Sequence, residues 1–194
     1  MISARVGHSL DPLILKIYHL FFGRRIINPN ILTVCGALLS IAVCCAVSWG
    51  NLILGGVVLL ASGLLDLMDG ALARSSDQVT PFGGFLDSVL DRYSDLLVIC
   101  GVLVYFMRQN DDMLSIVTFI AAIGIAIIPY VKARAEAASL SCNTGLLERP
   151  ERIVILLVGL LSSLLSYAVF ALAIFTHVTV IQRILYVRRQ IHRS

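Results

Sequence analysis

Four aspartates, an arginine and two well-placed glycines, Gly70 and Gly83, stand between two long apolar runs, in Asp66-Leu-Met-Asp69-Gly70-Ala-Leu-Ala73-Arg74 and Gly83-Gly-Phe-Leu-Asp87-Ser-Val-Leu-Asp91. Asp66 and Asp69 are spaced i,i+3 and Asp87 and Asp91 i,i+4, so on helices each pair shares one face. Were the two helices antiparallel neighbours, the four carboxylates would converge on one point. Like charges share a small volume only with cations between them. Oxygen ligands without His or Cys suit a hard divalent ion, Mg²⁺ or Mn²⁺. A structural ion network with Arg74 and Arg92 would leave four acids against two bases, and the charge uncompensated. Because ionisable groups at membrane depth are costly, such a cluster in an apolar chain is a functional site by default.

The elements that must position these groups are membrane helices. Of 194 residues, 58% are hydrophobic and only 14% charged, against about 25% charged in a typical water-soluble domain. Mean hydropathy is +0.91, and several runs reach spanning length. An ordinary soluble enzyme is excluded. The expected fold is an all-α integral membrane protein with six transmembrane helices, preceded by an N-terminal amphipathic interfacial helix. Residues 1–30 form a juxtamembrane segment and 31–194 one six-helix domain. No cleaved secretory signal is expected in residues 1–30, which lack a continuous apolar core. Cys35, Cys44, Cys45, Cys100 and Cys142 have no metal spacing and read as small packing residues.

Leu10, Leu13, Ile14, Ile17, Leu20 and Phe21 form a helical stripe within residues 9–22, with Arg24 and Arg25 facing the headgroups. After the break at Asn28-Pro29-Asn30 the spans run over Ile31–Trp49, Leu52–Ala73, Phe82–Met107 and Leu114–Ala138. Residues 75–81 make a polar turn, and 139–149 the longest polar connection. The apolar region Ile153–Val187 is too long for one span and tight for two of about 20 residues each. It is divided near Leu165-Ser166. Six spans put both termini on one side, and every Lys and Arg except Arg108 falls on that side too. The positive-inside rule therefore makes the termini and the aspartates cytoplasmic, at the cell (inner) membrane. The four histidines are scattered without ligand spacing, and His177 reads as a polar packing residue.

The pattern D-x-x-D-G-x-x-A-R-x8-G-x3-D-x3-D resembles the signature of the CDP-alcohol phosphotransferases, membrane enzymes that join a CDP-activated lipid to an alcohol. Its fixed positions are all met without insertion, an event of chance on the order of 10⁻⁸ at average residue usage. The resemblance implies that Asp66, Asp69, Asp87 and Asp91 hold Mg²⁺ or Mn²⁺, two ions per site. It makes Asp91 also the base that takes the proton from the attacking hydroxyl. It further implies a CDP-lipid pocket of Asn30, Thr33, Asp69, Gly70, Ala73, Arg74 and Gly83. A homodimer is implied as well, which small residues on the third and fourth helices permit. No nucleic-acid partner is expected.

Lys132-Ala-Arg134-Ala-Glu136 and Gly145-Leu-Leu-Glu148-Arg149-Pro150-Glu151-Arg152 resemble the branch making phosphatidylinositol phosphate or its archaeal ether-lipid counterpart. Bases on a short connection beside a metal site suit an acceptor that already carries a phosphate. Lys132 and Arg152, with Arg183, are the first candidates for gripping it, and Arg134 and Arg149 follow. Ordinary positive-inside charge is the plain alternative for each. The expected reaction moves a phosphatidyl-type group from a CDP-linked lipid to inositol phosphate and releases CMP. Glycerol phosphate or free inositol is the alternative acceptor. Two rivals differ in kind. An aspartate-rich prenyltransferase would carry its acids in two well-separated motifs, and a divalent-cation transporter would place them near the bilayer midplane.

Overall fold

The computed structural model describes residues 12–16, 18, 20, 28–75, 80–142 and 144–192, and among them no strand occurs. The main body is six helices: α1 Pro29–Ser48, α2 Leu52–Ser75, α3 Pro81–Arg108, α4 Asp112–Ala137, α5 Arg149–Leu161 and α6 Leu165–Ile191. Local chemistry sets their starts. Asn28 caps α1 by accepting from Asn30 N at 3.0 Å, Thr80 caps α3 by accepting from Gly83 N at 3.0 Å, and Asp111 caps α4 by accepting from Leu114 N at 2.9 Å. Proline follows the first two caps, where its missing N–H costs nothing.

Among the described residues, four helices are long and apolar enough to cross a membrane: α1, α2 over Leu52–Leu72, α4 and α6. The chain is an integral membrane protein on these helices. α3 has the length but carries Asp87, Asp91, Arg92 and Asp95 in its first half. α5 has 13 residues, about 20 Å of helix against a hydrocarbon core of about 30 Å. The break between α5 and α6 falls at Ser162–Leu164, a few residues earlier than expected, with Ser163 left-handed at φ 59°.

The packing order corrects the picture of two motif helices lying side by side. α2 and α3 make their main contacts with α1 rather than with each other, while α4 packs on α3 and α6, and α5 on α2 and α6. α1 comes close enough to α3 that a Cβ at Gly101 would stand 2.8 Å from Cα of Cys44. Val43 and Val47 of α1, Val102 of α3 and Val169 and Leu172 of α6 are fully buried in the common core. Large apolar side chains such as Ile53, Phe119 and Ile174 point outward, as expected of surfaces that meet lipid.

Near the N-terminus, residues 12–16, 18 and 20 are helical. Ile14 and Tyr18, one turn apart, bury against Leu32, Met68 and Leu72, whereas Leu13 and Leu20 are exposed. The anticipated stripe is thus divided between a docked face and an outer one. Leu10, Ile17, Phe21, Arg24 and Arg25 lie outside the described residues. All five cysteines are free thiols, and His177 Nε2 lies 3.1 Å from the carbonyl of Ile120, a packing contact as read from the sequence.

Candidate active site

The cleft that α1 holds open between α2 and α3 carries the acids. One carboxylate oxygen from each of Asp66, Asp69 and Asp87 lies within 4.8 Å of the others. The i,i+3 spacing brings Asp66 and Asp69 to one face of α2, and Asp87 reaches them from the second turn of α3. Asp69 is 7% exposed, and its Oδ2 has no hydrogen-bond partner. Leaving a buried carboxylate oxygen unmatched is costly, and a divalent cation supplies what it lacks. The donor set, all carboxylate oxygen, fits Mg²⁺ or Mn²⁺.

The fourth acid is not in that group. Asp91 Oδ1 accepts from Arg149 Nη2 at 2.9 Å, and its Oδ2 stands 3.6 Å from Arg92 Nη2. Arg149 also donates from Nη1 to Asp66 Oδ2 at 2.7 Å and lies 3.5 Å by Nε from Asp95 Oδ1. Asp95 in turn accepts from Arg152 Nη2 at 2.6 Å. The four motif carboxylates therefore do not converge on a single point. An arginine from α5 enters the cluster and divides it.

Next to the acids a cavity of about 210 Å³ opens between α1, α2 and α3. Its lining includes Asn30, Thr33, Asp69, Gly70, Arg74 and Gly83. The structure brings together every residue expected at the CDP-lipid except Ala73, whose side chain lies outside the described part. Asn30, which could have been a mere helix cap, is not one; Asn28 does that work.

The bases assigned to an acceptor phosphate are not gathered. Arg183, 4% exposed, donates to the carbonyls of Ile128 at 2.7 Å and Thr144 at 2.9 Å. Arg183 therefore ties α4 and the loop before α5 to α6. That loop is fastened further where Leu146 N donates to Gln182 Oε1 and Leu147 N to Thr179 Oγ1. Arg152 is buried on Asp95. Arg134 is exposed. Lys132 pairs loosely with Glu136 at 3.9 Å and, with Ser88 and Arg92, lines a separate cavity of about 460 Å³ between α3 and α4. Asp95 holds Arg152, and the carbonyls of Ile128 and Thr144 hold Arg183, away from a solvent-filled pocket. Arg92, weighed from the sequence only as a counter-ion to the aspartates, lines the Lys132 cavity beside Asp91.

The CDP-alcohol phosphatidyltransferase family profile matches residues 26–185. The chain belongs to the CDP-alcohol phosphatidyltransferase family. Among curated members it is 37% identical over 180 residues to the archaetidylinositol phosphate synthase of Methanothermobacter thermautotrophicus, covering 84% of this chain and 89% of the relative. To the phosphatidylinositol phosphate synthase of Mycobacterium tuberculosis it is 36% identical over 169 residues, covering 81% and 78%. The fold superposes on a crystal structure of the M. tuberculosis phosphatidylinositol phosphate synthase with CDP-DAG bound, at a TM-score of 0.78 and 32% identity, covering 94% of each chain. A structure of the same M. tuberculosis enzyme in complex with manganese and citrate aligns at a TM-score of 0.78 and 31% identity, covering 96% of this chain and 88% of that one. Family membership and the three gathered carboxylates both point to an enzyme that depends on a divalent metal.

Proposed function

We propose that the protein transfers a phosphatidyl-type group from a CDP-linked lipid to a hydroxyl of inositol phosphate, releasing CMP. The observation that carries this reading is the trio of carboxylate oxygens of Asp66, Asp69 and Asp87 within 4.8 Å, set beside a cavity of about 210 Å³. The names of these two curated relatives support inositol phosphate as the acceptor.

Asp66, Asp69 and Asp87 would hold a divalent ion, Mg²⁺ or Mn²⁺, which when bound neutralises pyrophosphate charge. Asn30, Thr33, Gly70, Ala73 and Gly83 shape the nucleotide pocket, small side chains leaving room for the base. Arg74 offers a planar fork to phosphate oxygens. Asp91 takes the proton of the attacking hydroxyl. A bond forms between that oxygen and the lipid-side phosphorus as the pyrophosphate bond breaks, and CMP departs with the bridging oxygen. Lys132 and Arg92 face a common cavity, and Arg92 is next to Asp91. This arrangement supports a phosphate held there with its hydroxyl turned to Asp91. Holding a second ion would require Asp91 to part from Arg149.

The remaining topology belongs to the same reading. α3 and α5 join the four apolar helices to make six spans, and the bases lie with the acids and both termini on the cytoplasmic side. The N-terminal helix lies at the interface, and the domain begins at residue 31. Two chains pair as a homodimer.

The test is CMP release by purified protein supplied with CDP-diacylglycerol, inositol phosphate and Mn²⁺. Release that stops with EDTA and returns with excess Mn²⁺ is the expected outcome. Absence of release under all these conditions would overturn the reading.

A further inference from the structure

Arg149 occupies ground that a cation would otherwise hold. Its two terminal nitrogens lie 2.7 Å from Asp66 and 2.9 Å from Asp91, and Asp66 is at the same time one of the three gathered carboxylates. Asp66 thus gives Oδ2 to this guanidinium while one of its oxygens belongs to the gathered trio, so an ion and Arg149 would draw on the same carboxylate. While Asp91 Oδ1 accepts from Arg149, that oxygen is also closed to a substrate hydroxyl.

The surroundings make the side chain the movable part. Residue 149 is the first of α5, behind a capping box in which Glu148 N donates to Glu151 Oε2 at 3.1 Å, and the preceding loop is fastened to α6 by Gln182, Thr179 and Arg183. The backbone is held on both sides. Asp95 has Arg152 at 2.6 Å as a second partner, so it keeps a counterion when Arg149 leaves. Asp91 keeps the looser Arg92 at 3.6 Å, and Asp66 and Asp91 are the residues released.

We propose that Arg149 is a latch, holding Asp66 and Asp91 until the phosphate of the acceptor draws the guanidinium away and frees the first for metal and the second for the acceptor hydroxyl. The proposal rests on the reading that the acceptor is phosphorylated. A phosphate dianion gives the guanidinium fork a bidentate, charge-assisted partner that replaces the carboxylates it gives up. With the latch shut, water lacks an activating base at the pyrophosphate, and the CDP-lipid is not wastefully split into CMP and the lipid phosphate. An unphosphorylated alcohol would leave the latch shut.

The test measures Mn²⁺ binding to the purified full chain by electron paramagnetic resonance, without CDP-lipid. Adding inositol phosphate, or inorganic phosphate at higher concentration, tightens Mn²⁺ binding to the unaltered protein by about tenfold, and Mn²⁺ reciprocally tightens phosphate binding. Arg149→Gln binds Mn²⁺ about tenfold more tightly from the outset and no longer responds to phosphate; it also releases CMP from CDP-diacylglycerol without acceptor faster than the unaltered protein. A purely structural role for Arg149 would weaken Mn²⁺ binding instead. Arg149→Lys, which retains a charge but lacks the fork, falls between the two, and the phosphate response of the unaltered protein needs no variant at all. Mn²⁺ affinity indifferent to phosphate, or Arg149→Gln binding Mn²⁺ no more tightly, would overturn the latch. Failure of the proposed function shows separately, as no CMP release with any acceptor.

Discussion

A Cβ on Gly83 would stand 3.0 Å from Oδ1 of Asn30 and 2.9 Å from Oγ1 of Thr80. The glycine lets the first turn of α3 approach α1 across the mouth of the cavity beside the acids, and Thr80 is fixed there as the cap of α3. Gly83→Ala therefore pushes on the pocket wall without touching an aspartate. Its kcat/KM for the CDP-lipid should fall by roughly one to two powers of ten, with Mn²⁺ binding retained. Unchanged kinetics would remove this wall from the substrate site.

Asp69→Asn keeps the shape of the most buried acid and removes its charge. Mn²⁺ binding should be lost, with turnover falling by about 10³-fold. Bound Mn²⁺ with normal turnover would show that the three gathered carboxylates are not the metal site.

Asp91→Asn separates holding from reacting. Turnover should drop by about 10³-fold, the range of a lost general base, while CDP-lipid binding stays close to that of the unaltered protein. Loss of binding instead would make metal retention its principal duty.

Lys132 and Arg183 were both read from the sequence as phosphate ligands, and the structure gives them different surroundings. Lys132→Ala should raise KM for inositol phosphate and leave kcat nearly unchanged. Arg183→Met strips hydrogen bonds from the carbonyls of Ile128 and Thr144, and should cost about 1–3 kcal/mol of stability, read as a lower Tm. If Arg183→Met keeps its Tm and raises only KM, Arg183 belongs to the acceptor pocket after all.

The aspartate spacings, the caps and the apolar runs were local facts, and they were legible because one helix turn relates the residues involved. Spacing showed that Asp66 and Asp69 share a face, but not that α1 would wedge between their helix and that of Asp87. Arg149 stands 83 positions from Asp66, so its arrival depends on α5 packing against α2 and on a loop sewn to α6. Periodicity carries no information about either. Arg183 read as a free base because its acceptors, the carbonyls of Ile128 and Thr144, lie 55 and 39 positions away in the chain. The apolar run Ile153–Val187 was divided near Leu165-Ser166 on length alone. The chain turns instead at Ser163, in a left-handed conformation uncommon for a residue other than glycine.

The central claim is that three carboxylates and a CDP-lipid cavity serve transfer to an inositol phosphate. Initial rates of CMP release, measured side by side with inositol phosphate and glycerol phosphate at equal concentration, test it most directly. A clearly higher rate with inositol phosphate, abolished by Asp69→Asn, is the expected result. Equal or greater release with glycerol phosphate would contradict it.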